Sequence, residues 1–135
     1  MTKFPPHGEY ILDHSDKCIY LTLKGAFNKE GAAAAATAFN TLVLEQYHNC
    51  HGWGVLVDLS DFELATADSL VVAKNAYHFA LEHGQKYEAI VGLENTVQKE
   101  QIRQFVQDVY QDIEFCAFDN ISSAKNWLKN KNIIC

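Results

Sequence analysis

Hydroxyl and carboxylate side chains are concentrated between residues 58 and 69. Six of them could contact a partner or be modified: Asp58, Ser60, Asp61, Thr66, Asp68 and Ser69. A serine or threonine hydroxyl can accept a phosphoryl group, and an exposed carboxylate can pair with a cation. The structural alternative is that the hydroxyls cap a helix and the acids serve its first turn. We predict that the six residues form a partner-binding surface, with Ser60, Thr66 and Ser69 as candidate modification sites.

Metal-binding side chains form weaker patterns. Residues 48–51 read His-Asn-Cys-His, but their spacing is not that of a zinc site and no second ligand pair follows. Asp58, Asp61 and Glu63 offer the oxygen ligands that a hard cation prefers, yet acids in a turn are ordinarily solvated. We therefore expect no metal site.

A catalytic set is also missing from the sequence. Lys74, His78 and Glu82 recur every four residues on a predicted helix, and a solvated polar face explains that spacing. The chain offers no Ser-His-Asp order, no glycine-rich phosphate loop and no nucleophile elbow. We expect a protein that is not an enzyme and needs no cofactor.

The composition is that of a globular domain with a core. The chain has 135 residues, of which 48% are hydrophobic and 21% are charged. We expect a single domain over residues 1–135, with residues 1–8 as an extended arm. Lysine and arginine total 11 against 17 acids, which gives a net charge of −6. No basic cluster occurs, so binding to nucleic acid or docking on an anionic membrane is disfavoured.

The sequence was searched for targeting or membrane segments and for a pattern of disulfide cysteines. The first residues lack the apolar run of a secretory signal, and no segment is apolar for long enough to cross a bilayer. We expect a cytoplasmic protein without stable membrane insertion. The four cysteines, Cys18, Cys50, Cys116 and Cys135, are too scattered for a disulfide framework. We interpret all four as free thiols, with Cys18 and Cys116 in the core.

Apolar spacing indicates the elements that position the candidate residues. Residues 55–57, Val-Leu-Val, follow a glycine and are typical of a strand covered on both faces. We predict that this is the central strand, followed by a turn over 61–66 and by a helix from its cap, Thr66, to about His83. The candidate surface then lies where an α/β sheet normally carries its working loop.

Turn residues and periodicity predict the first half of the chain. Strand-like runs at 10–12 and 18–23 flank five polar residues and indicate an antiparallel hairpin. Asn28 is a candidate cap for a helix whose alanine run, residues 32–36, permits close approach to a sheet. The buried stripe of that helix comprises Phe39, Leu42, Val43 and Tyr47. We expect the helix to end near Gly52.

The second half of the chain alternates strands with helices. We predict a strand at 87–92, a helix at 96–111, a strand at 113–118 and a short helix after residue 120. The order predicts an α/β fold with a single mixed sheet of about five strands. An N-terminal antiparallel hairpin comes first, parallel βα units follow, and there are about four helices.

The strand-turn-helix unit carries a resemblance to a known family. The element order from Gly8 to Leu128, together with Val57-Asp58-Leu59-Ser60, resembles the SpoIIAA-like group of the STAS domain superfamily. That group is similar to bacterial anti-sigma factor antagonists, and its sheet is likened to that of lipid-binding SEC14/CRAL-TRIO domains. In the antagonists such a strand leads to an Asp-Ser-Ser/Thr-Gly turn whose second hydroxyl is phosphorylated by a partner kinase. Here Thr66-Ala67-Asp68-Ser69 occupies the turn, and Asp68 falls where that hydroxyl would be.

The resemblance implies a regulatory role without a clear phosphoswitch motif. A carboxylate at Asp68 carries a charge like that of a permanently modified serine, although an acid is common in any first helical turn. We therefore expect a non-enzymatic regulatory or protein-interaction module with a protein partner. The alternative is a small apolar-ligand or lipid-binding protein of SEC14-like character, suggested by helical aromatic residues such as Tyr77 and Phe79, which otherwise fill an ordinary core. The open edge of the hairpin makes a homodimer a further hypothesis.

Overall fold

A computed structural model describes residues 5–93, 97–109 and 113–131 of the chain. Within these ranges strands and helices follow the predicted order, with one additional strand. The strands are β1 (Glu9–His14), β2 (Cys18–Phe27), β3 (Trp53–Asp58), β4 (Phe62–Ala65), β5 (Gln85–Val91) and β6 (Glu114–Phe118). The helices are α1 (Lys29–Gln46), α2 (Ala67–Glu82), α3 (Val97–Val109) and α4 (Ile121–Lys129). The α/β prediction is confirmed.

The sheet is mixed and has β3 at its centre. Its main path runs in the order β1-β2-β3-β5-β6. β1 is antiparallel to β2, and the later neighbours on this path run parallel. Val55, Leu56 and Val57 are at most 3% exposed, because α1 and α2 cover one face of β3 and α4 covers the other. The prediction of a central strand buried on both faces is confirmed.

The prediction of a turn over 61–66 is wrong. Residues Phe62–Ala65 form β4, which runs parallel to the end of β2 and lies off the main path of the sheet. The Phe62 side chain is buried, and its ring stacks on that of Phe27 at a centroid distance of 6.2 Å. A strand this short has too few residues to show alternation in the sequence, so its pairing depends on contacts with β2.

Asn28 fixes both the start of α1 and the arm before β1. Its side-chain oxygen accepts hydrogen bonds from the Gly31 amide at 2.8 Å and from the His7 amide at 2.9 Å. Its side-chain nitrogen donates to the Pro5 carbonyl at 2.9 Å. Glycine is required at position 31, because a Cβ atom there would lie 1.8 Å from the His7 carbonyl oxygen. The predicted cap is confirmed, and residues 5–8 of the predicted arm are bound to the helix. Residues 1–4 lie outside the described ranges.

The buried stripe of α1 follows the predicted spacing. Phe39, Val43 and Tyr47 are at most 6% exposed. The Tyr47 hydroxyl donates to the Cys18 carbonyl at 2.8 Å, and the Tyr47 ring stacks on that of Trp53 at a centroid distance of 5.0 Å. This tyrosine therefore joins the end of α1 to the starts of β2 and β3.

The end of α1 differs from the prediction, whereas α3 agrees with its prediction over the described residues. α1 ends at Gln46, well before Gly52, because Tyr47 leaves the helical conformation with a φ of −124°. α3 spans Val97–Val109 within the predicted range 96–111, whose other residues lie outside the described ranges.

The cysteines differ from the prediction of four free thiols. Cys50 is bonded in a disulfide, whereas Cys18 and Cys116 are free, and Cys135 lies outside the described ranges. Sequence spacing does not reveal which cysteines the fold brings together, so the prediction is wrong for Cys50. Burial raises the pKa of the Cys18 thiol to about 12, and the nearby Glu88 carboxylate adds to the shift. Cys18 is the inert core residue that was expected, but Cys116 is only half-buried.

The lengths and compositions of the helices test the prediction that the chain has no membrane-spanning segment. Across the described ranges, none is both long enough and apolar enough to span a bilayer. The cytoplasmic location, the single domain and the homodimer stay predictions.

Replacing Asn28 with alanine should lower the free energy of unfolding by about 2 kcal/mol, because the change removes the α1 cap and both bonds to the arm. Asn120 is a matched control, since it caps α4 through one side-chain hydrogen bond, from the Ser123 amide at 2.8 Å. Asn120→Ala should cost about 1 kcal/mol. Urea denaturation followed by circular dichroism measures both losses. Equal losses would mean that the bonds to the arm contribute nothing.

Candidate functional site

The candidate site begins where β3 and β5 end. Asp58 and Val91 are the last residues of these strands and are paired with each other. The chain then turns, and the Leu59 amide donates to the Val91 carbonyl at 2.8 Å. Gly92 passes so close to Ser60 that a Cβ atom on Gly92 would lie 2.6 Å from the Ser60 nitrogen. Because its φ is also +84°, this position requires glycine.

Asp58 and Ser60 form a local turn. The Asp58 carboxylate accepts hydrogen bonds from the Ser60 amide at 3.0 Å and from the Ser60 hydroxyl at 2.7 Å. This Asx-type turn fixes the chain as it leaves β3, with Asp58 half-buried and Ser60 exposed. Ser60 is thus a predicted modification site whose hydroxyl is exposed and takes no part in a helix cap.

Thr66 begins α2 as predicted. Its hydroxyl oxygen accepts a hydrogen bond from the Ser69 amide at 3.3 Å and donates to the Asp68 carboxylate at 2.5 Å. Thr66 and Asp68 are both exposed. The cap therefore holds Asp68 at the positive end of the helix, where a carboxylate is stabilised.

The Ser69 side chain is buried and joins α2 to the end of β2. Its side chain is only 2% exposed, and its hydroxyl lies 2.5 Å from that of Thr66. The Ser69 hydroxyl also donates to the Phe27 carbonyl at 3.2 Å. The first turn of α2 packs this position against the end of β2, so Ser69 is buried, and its role as a contact and modification site stays a prediction.

The exposed side chains between Ser60 and Val71 include both acidic and aliphatic ones. Asp61, Glu63 and Asp68 are exposed carboxylates, while Leu64 and Val71 are 49% and 60% exposed. The exposed residues of this stretch define the β4–α2 surface. Its members are Ser60, Asp61, Glu63, Leu64, Thr66, Ala67, Asp68 and Val71. Sequence reasoning singled out neither aliphatic residue as a contact. Val71 could have been found, because it lies outside the spacing of the apolar face of α2, which comprises Val72, Ala73, Ala76 and Tyr77.

Gln101 attaches α3 to the outer edge of β4. Its side-chain nitrogen donates to the Ala65 carbonyl at 3.0 Å, and its side-chain oxygen accepts from the Ala65 amide at 3.4 Å. The side-chain amide therefore occupies the place of a neighbouring strand at Ala65. Sequence reasoning did not identify this contact because β4 itself was not predicted.

An apolar cavity of about 120 Å³ lies behind this surface, between α1, α2 and the sheet. Small residues of the two helices form much of its wall: Ala32, Ala35 and Ala36 from α1, and Ala73 and Ala76 from α2. The alanine run was predicted only to permit close packing, but its small side chains also leave this space unfilled. Sequence alone could not locate the cavity, because its volume depends on how far apart the two helices lie.

Glu88 is a fully buried carboxylate in β5. The Gln85 side-chain nitrogen donates to one carboxylate oxygen at 2.7 Å, and the Tyr77 hydroxyl donates to the other at 3.3 Å. A buried acid needs such partners to offset its desolvation. Tyr77 also lines the cavity, so this residue contacts both features. Sequence reasoning missed Glu88, although a glutamate inside an apolar strand is a recognisable signal.

The other candidate groups have simpler environments. Lys74, His78 and Glu82 are exposed on α2, as the interpretation of a solvated face predicts. In the part of the chain that the structure describes, no three His, Cys, Asp or Glu side chains gather in a way that could hold a metal ion.

Comparisons with known proteins identify the fold. No protein family and no curated protein matches the chain, but solved structures do. An uncharacterized DUF3478-family protein with a SpoIIAA-like fold, from Shewanella loihica PV-4, gives a TM-score of 0.65 at 16% identity over 95% of this chain and 98% of its own. An anti-sigma factor antagonist from Mycobacterium paratuberculosis gives 0.60 at 13% identity over 92% and 96%. The anti-sigma factor antagonist SpoIIAA in its unphosphorylated form gives 0.65 at 6% identity over 91% and 100%.

The chain therefore has a SpoIIAA-like fold, and the resemblance seen in the sequence is confirmed for the fold. The structure adds that Asp68 lies in the first turn of α2, beside the Thr66 cap.

Thr66→Ala should lower the free energy of unfolding by about 1 kcal/mol, because the Ser69 amide loses its acceptor and the Asp68 carboxylate loses a donor. Thr66→Ser keeps the hydroxyl, so its free energy of unfolding should stay close to that of the unchanged chain. Urea denaturation of the three proteins makes the comparison. An equal loss in both variants would assign the effect to the threonine methyl group and contradict the role of the cap.

Proposed function

We propose that the chain is a non-enzymatic regulatory module that binds a protein partner through the β4–α2 surface. The observation that supports this most strongly is the exposure of acidic and aliphatic side chains on one strand-turn-helix unit. That unit follows the carboxyl end of the central strand, and open α/β sheets ordinarily bind their ligands at the carboxyl ends of their strands. Two structural neighbours are anti-sigma factor antagonists, and this favours regulation over other binding roles.

The side chains of the surface indicate the chemistry of its partner. Leu64 and Val71 provide apolar area that gains from being covered. Asp61, Glu63 and Asp68 favour a partner with lysine or arginine at the rim of the contact, and the net charge of −6 would speed its approach. We infer a partner surface with an apolar centre and basic surroundings.

Asp68 supports constitutive binding in place of a phosphoswitch. Its carboxylate is fixed by the Thr66 hydroxyl and lies at the amino end of α2. A phosphorylated serine in this place would carry negative charge only when modified, whereas a carboxylate needs no kinase to supply a negative charge. We propose that the surface is permanently competent to bind, and that Ser60, the exposed hydroxyl residue that takes no part in the α2 cap, is the site of any modification.

The partner proposal is tested by a double variant, Asp61→Lys with Leu64→Ser, used as bait in native extract with quantitative mass spectrometry. Captured partner should fall by about tenfold or more, because the change removes an apolar contact and reverses a charge. Leu44→Ser with Glu45→Lys is the matched control, since Leu44 is 50% exposed and Glu45 is exposed on α1. The control should retain the partner. Equal capture by both variants, each folded by circular dichroism, would contradict the proposal.

A second candidate function is binding of a small apolar molecule, which the cavity between α1 and α2 favours. An apolar cavity of comparable size in another protein, about 150 Å³, stays dry and binds benzene. At about 120 Å³ the space is smaller than the 300 Å³ or so at which drug-sized ligand pockets begin. A whole lipid would therefore require α1 and α2 to separate, whereas a small ring or a short alkyl group would not.

Ala73→Leu should abolish binding of benzene, because the larger side chain fills the cavity. Ala34→Leu is the matched control, since Ala34 is exposed on α1. Saturating benzene should raise the melting temperature of the unchanged chain and of the control, and it should leave Ala73→Leu unaffected. A melting temperature of the unchanged chain that does not respond to benzene would eliminate this candidate.

A further inference from the structure

Lys131 occupies a corner made of two aromatic rings and a carboxylate, on the side of the sheet that α4 covers. Its Nζ atom lies 4.6 Å from the centroid of the Trp127 ring and 5.6 Å from that of Tyr87. The Glu114 carboxylate is 2.6 Å from the same nitrogen. The centroids of the Tyr87 and Trp127 rings are 6.1 Å apart, and the interplanar angle is 88°, so the two rings form perpendicular walls.

The walls of this corner are held by contacts that do not involve Lys131. Tyr87 and Glu114 are paired across β5 and β6, and Tyr87 is 7% exposed. Trp127 projects from α4 and packs against the ring of Phe118 at a centroid distance of 5.7 Å. The sheet and α4 therefore position the corner, and removing the lysine side chain should leave its shape unchanged.

The chemistry of the corner matches that of an alkylammonium group. The face of an aromatic ring attracts a cation, and perpendicular rings let several alkyl groups on one nitrogen make contact at once. The Glu114 carboxylate supplies the opposite charge and is 53% exposed, so the corner is reachable from solvent. The Nζ atom of Lys86 also lies 5.9 Å from the centroid of the Tyr87 ring.

We propose that this corner is an alkylammonium-binding site whose internal occupant is Lys131, and that an external methylated or quaternary ammonium group displaces the lysine. Lys131 lies two residues beyond Lys129, the last residue of α4, so its displacement requires a rotation of its side chain into water and the loss of its ion pair with Glu114. A primary ammonium is strongly hydrated and loses little on leaving, whereas an alkylated ammonium is weakly hydrated and gains more from the rings. As a tethered competitor, Lys131 weakens apparent binding to the unchanged chain.

This site is independent of the proposed partner surface. Tyr87 and Glu114 lie near the amino ends of β5 and β6, whereas the β4–α2 surface follows the carboxyl end of β3. The proposal goes beyond the proposed function, and the loss of either one would leave the other standing.

The test is a titration of Lys131→Met with tetramethylammonium chloride at constant ionic strength, followed through the indole N–H signals by NMR. The chain has two tryptophans, and Trp53 is fully buried with its indole donating to the His83 carbonyl at 2.9 Å, so it serves as an internal reference. In Lys131→Met the Trp127 indole signal should shift and reach saturation. The affinity for tetramethylammonium should be about tenfold higher than in the unchanged chain. The Trp53 signal should not move.

Two further variants keep the proposal falsifiable. Lys125→Met removes a lysine that lies 5.1 Å from the Tyr20 ring instead, and it should bind no better than the unchanged chain. Glu114→Gln combined with Lys131→Met should weaken binding, because the carboxylate is lost. Absence of a saturable Trp127 shift in Lys131→Met would overturn the proposal, and so would equal affinity in Lys131→Met and Lys125→Met. If Lys131→Met does not fold, Lys131→Gln takes its place under the same criteria.

The source of the ammonium group is decided by two additional probes. A peptide that carries trimethyllysine represents a protein side chain, and choline represents a free small molecule. Tighter binding of the peptide than of choline would assign the site to a protein ligand, and the reverse would assign it to a small molecule. Failure of both to displace Lys131 would contradict the proposal.

Discussion

The parallel pairing of β3 between β2 and β5 is the constraint on which the rest of the structure depends. Its residues 55–57 have to be covered on both faces, so α1 and α2 must lie on one side and α4 on the other. A strand enclosed in this way can reach solvent only at its ends. The turn at Asp58 therefore appears at the rim of the sheet, and the candidate surface follows it.

The surface is coupled to the core through Phe27. The Phe27 carbonyl accepts hydrogen bonds from the Thr66 amide at 3.1 Å and from the Ser69 hydroxyl at 3.2 Å, while its ring stacks on Phe62. The start of α2 and the start of β4 are therefore both fixed to the end of β2. A partner that binds here meets residues already held in position, which reduces the conformational entropy lost on binding. This coupling explains why Ser69 is buried while its neighbour Asp68 is exposed.

The sequence could predict those features that depend on local chemistry. The caps at Asn28 and Thr66 follow from a side chain and the amides three residues later, and the central strand follows from three consecutive apolar residues. The SpoIIAA-like element order was visible for the same reason. Several features that require distant segments to meet were not predicted. These include the pairing of β4 with β2, the disulfide at Cys50, the cavity between the alanines of α1 and α2, and the corner around Lys131.

The central claim is that a protein partner binds at residues 58–71, at the carboxyl end of β3. The most direct measurement is amide hydrogen exchange of the chain, alone and bound to a partner isolated from native extract, read by mass spectrometry at the level of peptides. The account predicts that exchange slows in peptides covering residues 58–71 and stays unchanged in those covering β1 and the start of α4. Slowing confined to β1, with residues 58–71 unaffected, would contradict it.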